Sequence, residues 1–264
     1  LSYSLEAKAW RVVMAFTYGT IFGDYGDEKL TSTTEDLGLT LGTRMVLPDG
    51  RVYRYAFTNG AAPAGQGVQS SAAVANHDSD LAVASAAAVG AKSVSVTLGG
   101  TAAAKDLYAN GYLFVNDVEG EGHVYKISGH AAIGSGGTGD INLMDGDSIK
   151  EALVAGSSQV GLVANPYAEV IPTPGGAQTG RCVGYAPTEI ADDAYFWVQT
   201  WGEAAVLADG TLVIFRPVRV SDGTAGAVEN YASQTASEEQ VVGFATNVLA
   251  ATTEYQFVFL TISP

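Results

Sequence analysis

Apolar and polar side chains alternate with a period of two along most of this chain. In the segment KSVSVTLGG, Val94, Val96 and Leu98 share one side, while serine and threonine occupy the other. The segments RVYRYAF (51–57) and EYQFVFLTIS (254–263) alternate in the same way. Successive side chains of an extended strand point to opposite faces, so these patterns predict half-buried β-strands. Helical periodicity is scarce, and the sequence therefore predicts an all-β protein.

The segment YFWVQTWG (195–202) is apolar on both sides of its predicted strand. One side carries Trp197 and Trp201, and the other carries Phe196 and Val198. A strand with two apolar sides lies between two layers. One layer is the core of its own subunit, and the other is either a covering layer of the same chain or a partner protein. Burial in the core alone is the simpler interpretation, and the two tryptophans remain candidates for contacts between subunits.

Acidic residues followed by glycine interrupt the β-rich sequence at three places, Asp49–Gly50, Glu121–Gly122 and Asp209–Gly210. Glycine readily adopts the positive φ angles that tight hairpin turns require. Since a β-rich run lies on either side, each pair predicts a hairpin. Two short helices are also predicted, at 76–90 and at 148–156, from alanine-containing runs that a capping residue begins and a glycine ends.

The Pro/Gly-rich segment IPTPGGAQTG (171–180) is the strongest internal boundary in the sequence. It divides a first β region, 41–170, from a second, 181–264. The alternative is a long loop within one continuous domain, 41–264. The predicted fold is an antiparallel β-sandwich or barrel-like body with minor helix and an extended N-terminal arm.

The predicted arm comprises residues 1–40. The segment AWRVVMAFTY predicts a strand, and the polar, acidic segment GDYGDEKLTSTTEDLG (23–38) separates it from the remaining β-rich sequence. Such a strand either reaches another subunit or returns to its own sheet. The side chains expected along one face of this strand are Trp10, Val12, Met14, Phe16 and Tyr18.

The charge balance limits the expected partners. Acidic residues outnumber basic residues by 28 to 13, giving a formal net charge of −15. This charge repels phosphate backbones and anionic lipid, so neither nucleic acid nor a membrane is an expected partner. The apolar runs are too short for a transmembrane helix. Arg44, Arg51 and Arg54 form the one local concentration of basic residues, and they serve either as an inter-subunit patch or as ordinary surface ion pairs.

Candidate chemistry is sparse. GSGGTG (134–139) matches the spacing of a dinucleotide-binding loop, but no helix is predicted after it, so we interpret it as a flexible loop. His123 and His130 lie near acidic residues without the spacing of a known zinc or calcium site, and structural roles are favoured. Cys182 has no identifiable base partner. We therefore predict no metal, no cofactor and no catalytic residue. Paired carboxylates in an aromatic-lined groove remain the enzymatic alternative.

Several segments, in their order along the chain, resemble the capsid decoration (cement) proteins of tailed bacteriophages. Together they touch most of residues 42–225 and leave the predicted arm uncovered. The segments are GTRMVLPDGRVYRYA (42–56), NGAAPAGQGVQ (59–69), NGYLFVNDVEGEGHVYKISGH (110–130), VGLVANPY (160–167) and VGYAPTEIADDAYFWVQTWGEAAVLADGT (183–211).

This resemblance implies a virion structural protein without catalytic residues. Such a protein binds the outer capsid surface and stabilises contacts between major capsid proteins, often as a homotrimer. Many modest contacts repeated by symmetry suit a protein of this kind. The alternatives are a head-fibre or tail module that binds host glycans through exposed aromatic residues, and a carboxylate-dependent polysaccharide hydrolase.

Overall fold

A computed structural model describes residues 19–36, 39–231, 239–247 and 253–264. These residues form seventeen β-strands and one 3-10 turn, Asp27–Lys29, which confirms the all-β prediction. No helix in these ranges is long and apolar enough to cross a membrane. The strands are β1 (Thr20–Phe22), β2 (Arg44–Val46), β3 (Val52–Phe57), β4 (Gly67–Gln69), β5 (Leu81–Ala82), β6 (Ser93–Thr97), β7 (Tyr112–Asp117), β8 (Val124–His130), β9 (Thr138–Leu143), β10 (Gln159–Val163), β11 (Ile171–Pro172), β12 (Cys182–Tyr185), β13 (Tyr195–Leu207), β14 (Pro217–Val220), β15 (Val228–Asn230), β16 (Val241–Ala245) and β17 (Tyr255–Thr261).

The strands belong to two compact units. A smaller unit, Ala72–Asn165, is inserted into a larger one that is formed by the chain before it and by Pro166–Pro264. This division differs from the boundary predicted at 171–180, because Ile171–Pro172 forms β11 and pairs with β4 in the larger unit. Among the described strands, β11 pairs with β4 alone, and a proline is tolerated at such an edge.

The smaller unit is a closed six-stranded antiparallel barrel. Its strand order is β5-β10-β7-β8-β9-β6. A bridge between Val83 and Val96 joins the two end strands, and the Ala84 amide donates to the Ser95 carbonyl over 2.8 Å. Val94, Val96 and Leu98 are buried together in its core, as their alternation predicts.

A repeated bridge-and-turn unit connects the strands of the barrel. Two isolated antiparallel bridges join Ala87 to Leu153 and Ala103 to Ile133, and all four residues are buried. Three positions after each of these four bridge residues, the chain has a residue with a positive φ angle. These residues are Gly90 (88°), Asp106 (60°), Gly136 (64°) and Gly156 (70°).

The bridge-and-turn units replace the two predicted helices. The Gly90 amide donates to the Ile149 carbonyl over 2.8 Å, and the Gly156 amide donates to the Val83 carbonyl over 2.9 Å. The predictions of helix at 76–90 and 148–156 are therefore wrong. Alanine favours helix locally, but the pairing of Ala87 with Leu153 places both segments in a β-bridge, and such tertiary contacts override propensity.

The larger unit contains an eleven-stranded sheet. Its main path is β1-β2-β3-β13-β17-β16-β14-β15, and β4, β11 and β12 lie off this path. β1 and β2 are parallel, whereas the other strand pairs are antiparallel. A bridge between Ala208 and Val228 links the end of β13 to β15, so this part of the sheet curls into a nearly closed barrel.

Around Phe196, Trp197 and Val198, both faces of β13 are covered by its own chain. Phe196 and Val198 pack in one core cluster with Val68. Trp197 packs in a second cluster with Met45 and other residues from 39–55. The second layer that the sequence requires is therefore supplied within the subunit.

Two of the three predicted hairpins are present. Gly50 (φ 84°) turns the chain between β2 and β3, and Gly122 (φ 82°) turns it between β7 and β8. Gly210 also has a positive φ angle, 78°, but the strands around it do not pair. β13 is already paired with β3 and β17, so β14 pairs with β15 and β16 instead, and the hairpin prediction at Asp209–Gly210 is wrong.

Candidate functional site: an edge strand and an aromatic cleft

Part of the predicted arm lies at the edge of the larger sheet. We call residues 20–25 the edge segment. Within the described ranges, β1 pairs with β2 on one side only. Phe22 of β1 is 78% exposed, and Tyr25 is also exposed. An open strand edge that carries exposed apolar side chains is a surface to which another chain can add.

The edge segment is fixed to the body. The Gly23 amide donates to the Val46 carbonyl over 3.0 Å, and a Cβ atom on Gly23 would lie 2.6 Å from the Met45 sulfur. Further along, Ser32 bridges to Tyr195 and Leu39 is buried. The described part of residues 1–40 thus belongs to the larger unit, whereas Trp10, Val12, Met14, Phe16 and Tyr18 lie outside the described residues.

The three arginines do not form one patch. Arg44 and Arg54 are cross-strand partners on β2 and β3. Burial and the neighbouring charge of Arg44 lower the pKa of Arg54. The Arg54 guanidinium donates to the Gly42 carbonyl over 3.2 Å and to the Ser263 hydroxyl over 3.1 Å, so it serves contacts within the chain. Arg51 lines a separate cleft.

The two tryptophans of β13 differ in exposure. Trp197 is only 6% exposed and offers almost no surface to a second subunit. Trp201 is partly exposed and contacts Phe259 edge to face, with ring centroids 5.5 Å apart. Of this predicted pair, only Trp201 keeps a side chain at the surface.

An aromatic face covers the solvent side of three adjacent strands. Phe244 of β16 lies directly opposite Phe259 of β17, and Phe257 of β17 lies opposite Ala205 of β13. Phe257 is half exposed, and Phe244 and Tyr255 are exposed to a similar degree. The alternating residues Val258 and Leu260 are fully buried on the other side. The aromatic face comprises Trp201, Phe244, Tyr255, Phe257 and Phe259.

A cleft of about 410 Å³ opens beside the aromatic face. Tyr255 and Phe257 line it, and Glu28, Arg51, Gln199 and Glu203 are among its polar lining residues. Gly65 lies beneath the Tyr255 ring, because a Cβ atom at this position would approach that ring to 2.6 Å. Because glycine has no side chain, the Tyr255 ring can pack directly against the backbone at Gly65.

A hydrogen-bonded chain orders the polar wall of the cleft. Arg51 donates from Nε to Asp49 over 2.7 Å and from a terminal nitrogen to the Tyr53 hydroxyl over 2.7 Å. Burial opposes ionisation of Asp49, but the hydrogen bonds and positive charge of Arg51 lower the pKa of Asp49 below its ordinary value. The Tyr53 hydroxyl donates to Gln199 over 3.3 Å, and Gln199 donates to the Glu203 carbonyl over 2.9 Å.

The two carboxylates of the cleft are held differently. Glu28 is only 4% exposed, and its Oε2 accepts from the Gly26 amide over 2.6 Å. Its Oε1 lies 3.9 Å from Arg51, beyond hydrogen-bonding distance. Glu203 is exposed and accepts from the Thr246 hydroxyl over 3.0 Å. Glu28 was not predicted as a site residue, because a single acidic residue in a polar run carries no distinguishing pattern.

Two buried histidines form hydrogen bonds within the smaller unit. Buried His77 donates from Nε2 to the Thr101 carbonyl over 2.8 Å, and its Nδ1 accepts from the Tyr108 hydroxyl over 2.6 Å. His130 accepts from the Tyr108 amide over 3.2 Å. GSGGTG runs directly into β9, so a strand and not a helix follows it. Among the described residues, no group of three or more His, Cys, Asp or Glu residues is arranged to hold a metal ion.

In comparisons with known proteins, no family model, no curated protein and no solved structure matches this chain.

Proposed function

We propose that the chain is a virion structural protein that binds the outer surface of a phage head and joins neighbouring major capsid proteins. The edge segment is the observation that carries the proposal. Within the described residues it combines an open strand edge with two exposed aromatic side chains, and it belongs to the predicted arm, after the strand predicted in AWRVVMAFTY. The resemblance of residues 42–225 to decoration proteins supports the same function.

Attachment through the edge segment uses simple physical chemistry. A strand added at β1 gains backbone hydrogen bonds, while Phe22 and Tyr25 lose exposed apolar surface. Each such contact contributes only a modest binding free energy. Three copies joined as a homotrimer on a repeating lattice bind together far more tightly than one copy alone, because attachment at one point raises the local concentration at the others.

The experiment is a reconstitution of undecorated heads with purified protein. We expect deletion of residues 1–18, or the single substitution Phe22→Ser, to weaken co-sedimentation with heads while circular dichroism shows an intact β body. The deletion stops at residue 18 because residues 20–22 form β1 and Leu39 is buried.

Phe215→Ser is the matched control. Phe215 is 79% exposed, almost the same as Phe22, and it lies in the larger unit away from β1 in the sequence. We expect this variant to bind heads as the unchanged protein does. Equal binding of the unchanged protein, the deletion and Phe22→Ser would refute attachment through the edge segment, and failure of the unchanged protein to bind any head would refute the function.

A further inference from the structure

We infer that the cleft beside the aromatic face is a binding site for a neutral oligosaccharide. This site goes beyond head attachment, since it concerns a second ligand that packs against β17 and not against β1. The inference depends on the shape of the cleft, on its aromatic wall and on the balance of its polar groups.

The aromatic wall supplies the apolar part of the site. Tyr255 and Phe257 alternate with buried residues on β17, so both rings project from the same side of the strand into the lining of the cleft. Sugar rings present a flat face of C–H groups that packs against such rings. The volume of about 410 Å³ lies within the range of small-molecule sites and accommodates a short oligosaccharide.

The polar wall supplies the hydroxyl-binding part. Glu28 and Glu203 are two acidic residues, and Lys29 and Arg51 are two basic residues, so the lining as a whole favours neither an anion nor a cation. Glu28 Oε1 lies 3.9 Å from Arg51, beyond hydrogen-bonding distance. A sugar hydroxyl between the two groups can donate to this oxygen and accept from Arg51.

The aromatic wall of the cleft lies apart from β1, whereas Glu28 on its polar wall follows the edge segment by only three residues. β17 and β1 are four strand positions apart in the sheet, which corresponds to roughly 19 Å along its surface. A protein attached to a head through β1 therefore leaves the aromatic wall accessible. The ligand of the cleft would then be an external glycan, such as one on a cell surface.

The test is a glycan array of neutral and sialylated oligosaccharides, probed with the full chain and followed by titration calorimetry on the strongest neutral hit. We expect saturable binding of a neutral oligosaccharide. Tyr255→Ala should weaken it by about tenfold, because the packing of one ring is lost. Glu28→Gln should weaken it to a similar degree while circular dichroism and the melting temperature show a folded protein.

Phe244→Ala is the matched control, because Phe244 belongs to the aromatic face but does not line the cleft. This variant should bind the oligosaccharide unchanged. If Glu28→Gln does not fold, Glu203→Gln at the exposed rim replaces it and should also weaken binding. An array without any neutral hit would overturn the inference, as would binding that Tyr255→Ala leaves intact or a strict requirement for sialic acid. Head attachment is measured separately and is unaffected by these outcomes.

Discussion

Gly156 illustrates how single residues determine the turns of this protein. It has a φ angle of 70°, and a Cβ atom added to it would meet nothing within 4 Å. The cost of Gly156→Ala therefore comes from the backbone alone. We expect the free energy of unfolding, measured by urea denaturation, to fall by about 1–2 kcal/mol.

Gly100→Ala controls for the loss of glycine itself. Gly100 has equally open surroundings but no positive φ angle, so alanine fits its backbone without strain. We expect this variant to change stability by no more than about 0.5 kcal/mol. Equal destabilisation by both substitutions would contradict the role assigned to the left-handed backbone.

Cys182 provides a second test at the scale of the residue. Burial raises the pKa of the Cys182 thiol to about 12, so the reactive thiolate is scarce at pH 8. We expect a colorimetric thiol reagent to react slowly with the folded protein. After denaturation in guanidinium, one thiol per chain should react. Rapid reaction of the folded protein would show that the side chain is accessible.

Site residues were the hardest part to predict from the sequence. The arginine cluster at 44–54 is evident in the sequence, yet the structure pairs Arg44 with Arg54 and places Arg51 in the cleft. Glu28 meets Arg51 through a contact 23 positions away, and Gln199 joins the same network from β13. Local sequence patterns do not encode which distant segments meet.

At the scale of the element, β13 connects two core clusters. Trp197 fills one of them and is buried, so Trp197→Ala leaves a large cavity. We expect a loss of about 3–5 kcal/mol in the free energy of unfolding, measured by urea denaturation.

Trp201→Ala is the control on the same strand. Trp201 is partly exposed, so its replacement should cost clearly less than that of Trp197. A larger loss for Trp201 than for Trp197 would contradict the difference in burial between the two tryptophans.

Strands were predictable because alternation is a local property. The alternating segments at 92–100 and 254–263 contain strands in the structure, and the predicted sides separate buried residues from partly or fully exposed ones. The bridge-and-turn units were missed, although they carry a signal. A buried Ala, Ile or Leu is followed three positions later by glycine or aspartate in the segments AAVG (87–90), AAKD (103–106), IGSG (133–136) and LVAG (153–156).

At the scale of the whole molecule, the inserted barrel has its own core. Its buried cluster contains only residues from 81–162, and the bridge between Val83 and Val96 closes its sheet. We expect residues 72–165, produced alone, to give dispersed amide signals in a two-dimensional NMR spectrum and a cooperative thermal transition. A spectrum without dispersion would show that the barrel depends on the remainder of the chain.

The pairing of β4 with β11 has a practical consequence. Gln69 lies beside Ile171 in this ladder, so the chain leaves the larger unit and returns to it at neighbouring points. A host fold with adjacent exit and re-entry points tolerates the insertion of another folded domain between them. The barrel can therefore be exchanged for another domain. A foreign antigen or reporter enzyme that replaces residues 72–165 would be carried by the larger unit.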